Sequence, residues 1–193
     1  MTSPRADVLS SAFDSQPVLR GELLELRPLD AEDFDALYAV AADPLIWEQH
    51  PVRNRHERAV FERFFEESLH SGGALIATET ATHAVIGSSR FHGFDQQRRE
   101  VEIGWTFLAR RYWGGRYNGE MKRLMLRHAF RFVSSVIFRI GVTNVRSQRA
   151  VESIGAVRSG TTSDAGGRDS YVYQITASML HHGSDAGAGA VNG

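Results

Sequence analysis

The spacing of hydrophobic residues changes character within one stretch of this chain, residues 99–133. In its first third, apolar and non-apolar positions alternate strictly, a period typical of a strand with one buried face. In its last third, from Met121 to Val133, apolar residues recur at the spacing of one helix face. Residues 111–118 lie between the two patterns and contain a glycine pair. The sequence therefore predicts a strand, a tight turn and a helix in direct succession.

The same periodicities predict further elements on both sides of this stretch. Strands are expected at 20–26, 74–79, 84–92, 136–142, 156–161 and 170–179, and helices at 30–41, 56–70 and 144–155. Strands interspersed with helices are typical of a layered α/β domain. This order predicts an α/β fold with a mixed central sheet and helices on both faces.

The two ends of the chain lack this patterning. Residues 1–17 are polar and without periodicity, which predicts a flexible N-terminal arm. Residues 181–193 are rich in glycine and alanine and contain no aromatic residue, which predicts a disordered tail. Because a chain of 193 residues is long enough to bury a core, residues 18–180 are expected to form a single domain.

Composition excludes several classes of function. The formal net charge is −1, so no overall basic field favours nucleic acid or a membrane surface. Cysteine is absent, which excludes disulfides, thiolate metal ligands and a cysteine-thioester intermediate. The histidines show no ligand spacing, so no metal site is expected. No apolar stretch has the length of a membrane span and residues 1–13 lack the apolar block of a signal peptide, which predicts a cytoplasmic protein.

The turn between the central strand and the long helix is a candidate anion site. Gly114 and Gly115 directly precede the expected N-terminus of the helix, where free backbone N–H groups and the helix dipole attract negative charge. Arg116, Lys122 and Arg123 are expected to add mobile positive charge nearby. A glycine pair by itself is also typical of an ordinary turn. Neither a Gly-Lys-Ser/Thr P-loop nor a G-x-G-x-x-G dinucleotide motif is present.

The whole phrase, rather than the glycine pair, resembles the acetyl-CoA-binding motif of the GNAT N-acetyltransferase superfamily. It consists of Glu-Ile-Gly-Trp-x-Phe-Leu at 102–108, the glycine turn, and a helix with Asn118 and Glu120 in its first turns. More narrowly, it is similar to the branch that includes the ribosomal-protein alanine N-acetyltransferases. The family signature Gln/Arg-x-x-Gly-x-Gly/Ala is matched by Arg111 and Gly114 but not by Arg116.

This resemblance implies a single-domain GNAT-like fold with a mostly antiparallel sheet, and acetyl-CoA as the acyl donor. By analogy with the family, the pantetheine arm of the cofactor lies against the strand and its diphosphate against the turn. The implied cofactor-binding residues are Thr106, Phe107, Leu108, Arg111, Gly114, Gly115, Arg116, Tyr117, Asn118, Asn144 and Ser147.

Asn144, Ser147 and Gly155 resemble a second conserved block of the family, Asn-x-x-Ser/Ala followed by a glycine. Ordinary N-capping of a helix is the alternative interpretation, and both roles can coexist. Many relatives carry a tyrosine in this helix that protonates the departing thiolate, but the matching residue here is Val151. Ser147 is the remaining donor in this block and is therefore a candidate catalytic residue.

Glu102 is the second candidate catalytic residue. It lies on the non-apolar face of the central strand, two residues before Gly104, and a glycine inside a strand usually marks a bulge or the close approach of a ligand. Because the strand leads into the glycine turn, Glu102 is expected to border the cleft and to act as a base or amine-orienting carboxylate through water. The alternative is that Glu100 and Glu102 form a solvated strand face.

The expected function is direct N-acetyl transfer from acetyl-CoA to a primary amine, preferably a protein N-terminal α-amine. An α-amine with a pKa of about 8 is roughly one-tenth neutral at pH 7, whereas a lysine near about 10.4 is less than about one-thousandth neutral. A weak, water-relayed carboxylate suits the former. Trp47, His50 and Arg53 are candidates for the acceptor pocket, although an irregular loop with one tryptophan is more often simply packed against the domain.

Two other functions remain open at this stage. In the first, the acceptor is a small amine such as an antibiotic, a polyamine or an amino acid. In the second, the domain binds acyl-CoA as a sensor and does not catalyse a reaction. Arg116 and Val151 are the departures from the family pattern that favour a sensor. The expected partners are acetyl-CoA and the acceptor, without metal, membrane or direct nucleic-acid binding, and the resemblance is compatible with a homodimer.

Overall fold

The computed structural model describes residues 12–179, which contain one central sheet of eight strands. The strands are β1 (Leu19–Arg20), β2 (Leu24–Pro28), β3 (Ala74–Glu79), β4 (Val85–Asp95), β5 (Glu100–Leu108), β6 (Ser135–Gly141), β7 (Val157–Ser163) and β8 (Asp169–Thr176). Their order across the sheet is β1-β2-β3-β4-β5-β6-β8-β7. All neighbours are antiparallel except β5 and β6, which run parallel. The prediction of an α/β fold with a mixed, mostly antiparallel sheet is confirmed.

Four α-helices between residues 34 and 152 flank the sheet. They are α1 (Phe34–Ala41), α2 (Arg58–His70), α3 (Arg116–Ala129) and α4 (Val145–Glu152), and short 3-10 helices occupy Ala31–Asp33, Pro44–Ile46, Arg53–His56 and Arg110–Tyr112. Asp30 begins the first of these helical segments, because its side chain accepts a hydrogen bond from the Glu32 amide while Asp33 accepts one from the Asp30 amide. The helix predicted at 30–41 therefore forms, with its first turn as a 3-10 helix.

The sheet has a hydrophobic cluster on each face. β3 illustrates this most clearly, since Leu75 and Ala77 belong to one cluster and Ala74 and Ile76 to the other. The first cluster contains the apolar residues of α3 and α4, and the second contains those of α1 and α2. Helices therefore cover both faces of the sheet, as predicted, and the core lies in two layers.

The strict alternation predicted for β5 is interrupted by a β-bulge. Trp105 and Thr106 together lie opposite Ser89 of β4, and Trp105 has a φ of 52°. One extra residue reverses the faces of the strand. Ile103 consequently packs in the α3/α4 cluster while Phe107 packs in the α1/α2 cluster. The prediction of a single buried face is correct up to Ile103 and wrong beyond it.

The bulge coincides with the divergence of β5 from β6. The two strands pair only from Glu100 to Glu102, opposite Ser135 to Ile137. The remainder of β6 pairs with β8 on its other edge. A cleft therefore opens between the carboxyl ends of β5 and β6, in the middle of the sheet.

The first predicted strand, 20–26, is wrong as a single element. The structure has β1 and β2 there, joined by a turn in which the Gly21 amide donates to Leu24 O at 2.9 Å. The turn is held by the Glu120 carboxylate of α3, which accepts hydrogen bonds of 2.8–3.0 Å from three successive backbone amides, those of residues 22–24. A partner 97 residues away for the Leu23 amide cannot be read from local periodicity.

Several element ends also differ from the prediction. α3 ends at Ala129 and not at Val133, and β8 ends at Thr176, three residues before the predicted end. Of the predicted N-terminal arm, residues 1–11 fall outside the described part, as does the predicted tail 181–193. Phe13 packs against the rings of four residues of the domain, Phe91, Phe94, His128 and Phe132. No helix within residues 12–179 is long and apolar enough to cross a membrane.

Candidate active site

The cleft between β5 and β6 widens into a cavity of about 880 Å³. Its walls are formed by the loop between α1 and α2, the second half of β5, the glycine turn with the start of α3, the end of β6 with α4, and the β7–β8 loop. A cavity of this size, at a place where strands diverge, is typical of a small-molecule site.

Nine of the predicted site residues line this cavity: Glu102, Thr106, Phe107, Leu108, Gly114, Gly115, Asn118, Asn144 and Ser147. Three others do not line it. Arg111 is exposed and lies over the Tyr112 ring, and Arg116 is exposed as the first residue of α3. The Tyr117 hydroxyl donates a 2.7 Å hydrogen bond to Glu79 of β3. The structure thus brings together the β5, glycine-turn and α4 residues.

The glycine turn is shaped for the close approach of a ligand. Gly114 and Gly115 have φ values of 97° and 105°, and no atom lies within 4 Å of where a Cβ would stand on either. Gly115 precedes α3 without a side-chain cap, so the first amides of this 14-residue helix have no intrahelical acceptor. These features fit the diphosphate of acetyl-CoA, because open backbone and a helix N-terminus together favour a bound anion.

Glu102 is buried, with 6% of its surface exposed, so the interpretation of a solvated strand face is wrong for this residue. Its side chain accepts a hydrogen bond from the Arg139 guanidinium of β6, across the cleft. Burial raises the pKa of Glu102, while the charges of Arg139 and His92 oppose that shift. The result is a carboxylate in the cavity wall that binds a proton more readily than an exposed glutamate does.

Asn144 and Ser147 meet at the start of α4. The Asn144 side chain accepts a hydrogen bond of 3.1 Å from the Ser147 backbone amide, which makes Asn144 the N-cap of the helix. The cap uses the backbone amide of Ser147 and not its hydroxyl. The Ser147 side chain is half-buried and lines the cavity. Val151, one turn further along, is buried and also lines it.

Lys122 lies in the cavity wall, a position that the sequence analysis did not predict. The prediction of mobile positive charge is wrong here, because Lys122 is 4% exposed and its Nζ donates a 2.6 Å hydrogen bond to Thr106 Oγ1. The Phe138 ring centroid lies 5.2 Å away. Burial lowers the pKa of Lys122 to about 7. Its place on the inner stripe of α3, one residue after Met121, was the available signal.

The loop between α1 and α2 contributes aromatic and basic side chains to the cavity wall. Trp47 and His50 line the cavity as proposed, but Arg55 lines it in place of Arg53. Both arginines lie in one short 3-10 helix, and the Arg55 guanidinium lies over the rings of Trp47 and Phe64. Sequence spacing alone does not specify which of two arginines in a single 3-10 turn points inward.

Metal ligands are not clustered in the described part of the chain. No group of three or more histidine, cysteine, aspartate or glutamate side chains within residues 12–179 is arranged to hold a metal ion. The polar side chains that line the cavity carry hydroxyl, carboxylate, amide, imidazole, ammonium and guanidinium groups.

Comparison with known proteins identifies the family. A family model described as "Acetyltransferase (GNAT) domain" matches residues 24–157, more than half of the chain. This chain therefore belongs to the GNAT family and is an acetyl-CoA-dependent N-acetyltransferase. No curated protein matches it significantly.

Solved structures of acetyltransferases share the fold. One from T. thermophilus is 27% identical with a TM-score of 0.71, over 88% of this chain and 94% of the other. RimJ from Mycobacterium smegmatis, in complex with CoA-disulfide, is 19% identical with a TM-score of 0.62, over 89% of this chain and 93% of the other. A spermidine N-acetyltransferase from Vibrio cholerae, in complex with CoA and spermine, is 16% identical with a TM-score of 0.62, over 83% and 99%. The last two likenesses establish the fold alone.

Proposed function

We propose that this enzyme acetylates protein N-terminal α-amines in preference to lysine side chains and polyamines. The observation that carries the proposal is the Glu102 carboxylate, which is buried in the cavity wall and tied to Arg139. Burial raises the pKa of Glu102, but a carboxylate remains a weaker base than an amine. It suffices for an α-amine, of which roughly one-tenth is already neutral at pH 7, but is poorly matched to a lysine or a polyamine.

The glycine turn and β5 would hold the donor. Acetyl-CoA supplies an activated acetyl group as a thioester. Gly114, Gly115 and Asn118 would bind its diphosphate through the backbone at the start of α3, and the backbone of residues 106–108 would bind its pantetheine arm. The divergence of β5 from β6 supports this assignment, since a strand edge without a neighbouring strand can bind an extended ligand.

Glu102 would receive the proton of the acceptor amine through a water molecule. The Arg139 guanidinium favours the ionised carboxylate, and burial favours the protonated one. The net shift of the Glu102 pKa is upward, so Glu102 accepts a proton more readily than an exposed glutamate and can release it again to solvent. The side chain of its partner Arg139 is 46% exposed, so this ion pair borders solvent.

Ser147 would assist the leaving group. A thiol with a pKa of about 8.5 leaves without much help. A hydroxyl in the first turn of α4 is suited to donate a hydrogen bond to the developing thiolate, and Val151 has no polar atom for that role. Ser147 is the candidate because its hydroxyl is not used by the helix cap.

The polyamine alternative has support from the fold shared with the spermidine N-acetyltransferase of Vibrio cholerae. The charge of the cavity wall opposes it. Six basic residues line the cavity, against two acidic ones, Glu102 and Asp164. A polycation would bring further positive charge into this wall, which is electrostatically unfavourable. The basic lining residues are Arg55, Lys122, Arg139, Arg146, Arg149 and Arg168.

Thiol release from acetyl-CoA tests the proposal. We expect a set of peptides with free α-amines to give turnover, with mass spectrometry locating the acetyl group on the first residue. The matched control is the same set with blocked α-amines and one internal lysine, together with spermidine. Equal or faster reaction of these controls would refute the preference. Saturable binding of acetyl-CoA without turnover of any amine would support the sensor function instead.

A further inference from the structure

Four of the side chains that line the cavity, here called the basic wall, are His50, Arg55, Arg146 and Arg168. They come from three separate segments, the α1–α2 loop, α4 and the β7–β8 loop. The pKa of His50 falls to about 3, chiefly through burial and then through the charge of Arg55, with smaller contributions from Arg168 and Arg146. All three arginines are thus close enough to His50 to disfavour a further positive charge there.

Arg55 is the centre of this wall and has no carboxylate partner within the described residues. It is half buried, it forms no ion pair, and its Nε is buried without a hydrogen-bond partner. Its guanidinium lies over the rings of Trp47 and Phe64, 5.1 and 4.3 Å from their centroids. A cation removed from water without a counter-ion is costly, and an anion bound beside it would offset that cost.

The position of the hydrogen on the His50 ring also favours a bound hydrogen-bond acceptor. His50 Nδ1 accepts a 2.9 Å hydrogen bond from the Val52 amide, so the neutral ring carries its hydrogen on Nε2. Arg55 Nη1 lies 3.2 Å from that Nε2. Both atoms are then donors, and neither satisfies the other. One anionic oxygen between them would accept from both.

The other acidic and basic groups of the cavity do not supply that oxygen. Glu102 pairs with Arg139, and Asp164 pairs with Arg168 at 2.7 Å. Arg146 forms no ion pair in residues 12–179. Its guanidinium donates to Ile46 O at 2.7 Å and lies 4.0 Å from the Trp113 ring centroid. Neither Arg55 nor Arg146 therefore has a carboxylate at ion-pair distance within the described residues, and Glu67 and Glu48 act on their charges only from further away.

The basic wall is separate from the place expected for the cofactor diphosphate. Arg55 and His50 belong to the α1–α2 loop, and Arg55 packs on residues of the α1/α2 cluster, Trp47 and Phe64. The glycine turn precedes α3, whose apolar residues belong to the cluster on the other face of the sheet. Arg146, which contacts Ile46 and Trp113, lies between the two. An anion at Arg55 is therefore assigned to the acceptor and not to the donor.

We propose that the acceptor is an amine that also carries a carboxylate, which Arg55 and Arg146 bind beside His50. This inference rests on the proposed N-acetyl transfer and specifies its substrate class. Two sources have this chemistry: a protein N-terminus with an acidic side chain in its first residues, and a free amino acid with its α-carboxylate. Carboxylate binding by an arginine fork supplies orientation as well as charge, so the amine is directed toward Glu102.

Matched peptides test the assignment with the full chain. We would compare peptides that begin Ser-Asp, Ser-Asn and Ser-Lys and are otherwise identical, together with free aspartate and serine, by thiol release. The acidic peptide or the free amino acids should exceed the neutral peptide on the order of ten- to a hundredfold in kcat/KM, mainly through a lower KM. The advantage should shrink as salt increases. Equal use of Asp, Asn and Lys peptides, with free amino acids no better, would overturn the inference.

Variants of Arg55 test whether this side chain is responsible for the preference for an acidic acceptor. Arg55→Gln should raise the KM for the acidic acceptor by a much larger factor than the KM for the neutral peptide, so that the preference is lost, and Arg55→Lys should restore part of it. Arg63→Gln is the matched control, because Arg63 is an exposed residue of α2 that does not line the cavity. An equal loss for all acceptors in Arg55→Gln, with lowered thermal stability, would assign Arg55 to packing and overturn the inference.

The same measurements separate the two proposals. Acetylation of α-amines regardless of charge would overturn the carboxylate site and leave the preference for protein N-termini in place. Acetylation of free amino acids without any peptide would support the carboxylate site and refute that preference. Absence of turnover with every amine would overturn both.

Discussion

The ammonium of Lys122 on α3 donates a 2.6 Å hydrogen bond to the hydroxyl of Thr106, the second residue of the β5 bulge. Thr106 Oγ1 also lies 2.7 Å from Ser89 Oγ of β4, so a helix and two strands meet at one hydroxyl group. Lys122 is the only lysine of the chain, and no carboxylate within residues 12–179 pairs with it. A charged group in this position costs stability, and that cost depends on pH.

Lys122→Met should therefore stabilise the fold near neutral pH. The pKa of Lys122 falls from 10.5 to about 7 on folding, so the unfolded chain binds this proton more readily between those values. The penalty of charge burial is then complete below pH 7, on the order of 3–5 kcal/mol, and disappears as the pH rises toward 10.5. Thermal melting of the variant and of the native chain between about pH 6 and about pH 10 measures the difference in their stability, which should decrease as the pH rises. Arg123→Met, at the exposed neighbouring position, should show no such trend.

Glu102→Gln should lower kcat/KM in the pH range between the raised pKa of Glu102 and the pKa of the acceptor amine. In that range the native carboxylate is ionised and most of the amine is protonated, so a base contributes most. The native activity should fall as the pH decreases through the Glu102 pKa, and the variant should lack this acid limb. Glu100→Gln is the control, since Glu100 is hydrogen-bonded to Ser135 and does not line the cavity. A pH–rate profile unchanged in Glu102→Gln would assign the base to bulk water.

Ser147→Ala should reduce kcat about ten- to a hundredfold, the effect of one transition-state hydrogen bond, and retain cofactor affinity. Thermal stability should change little, because the Asn144 cap is made to the Ser147 amide, which alanine preserves. Asn144→Ala provides the contrast, as loss of an N-cap costs about 0.5–2 kcal/mol of stability. If Ser147→Ala melts early and retains its kcat, the residue serves only the helix.

Arg116→Ala should raise the KM for acetyl-CoA more than it lowers kcat, since an exposed cation at the start of α3 attracts phosphate without touching the reacting atoms. The deficit should diminish at high salt. Arg127→Ala, an exposed charge change at the other end of the same helix, should leave the KM for acetyl-CoA unaffected. An unchanged KM at low salt in Arg116→Ala would show that this side chain does not contribute to cofactor binding.

The sequence by itself determined the order of elements around the cleft. Local periodicity, the Asp30 and Asn144 caps, and the glycine pair depend on residues close together in the chain, so each could be read without knowledge of the fold. The same holds for nine of the predicted site residues, which lie on one strand, one turn and the starts of two helices. Their convergence on one cavity follows from the parallel pairing of β5 with β6.

Only the tertiary structure decided which side chains meet across that cleft. The bulge at Trp105 reverses the faces of β5, and the Glu120 carboxylate divides the first predicted strand by binding amides of residues 22–24. Burial of Lys122 and the inward position of Arg55 likewise depend on surfaces contributed by other segments. Periodicity reports on which face of a segment is apolar. Whether a charged residue on that segment finds water, a hydroxyl group or an aromatic ring is set by what packs against it, and burial then sets its pKa and its chemistry.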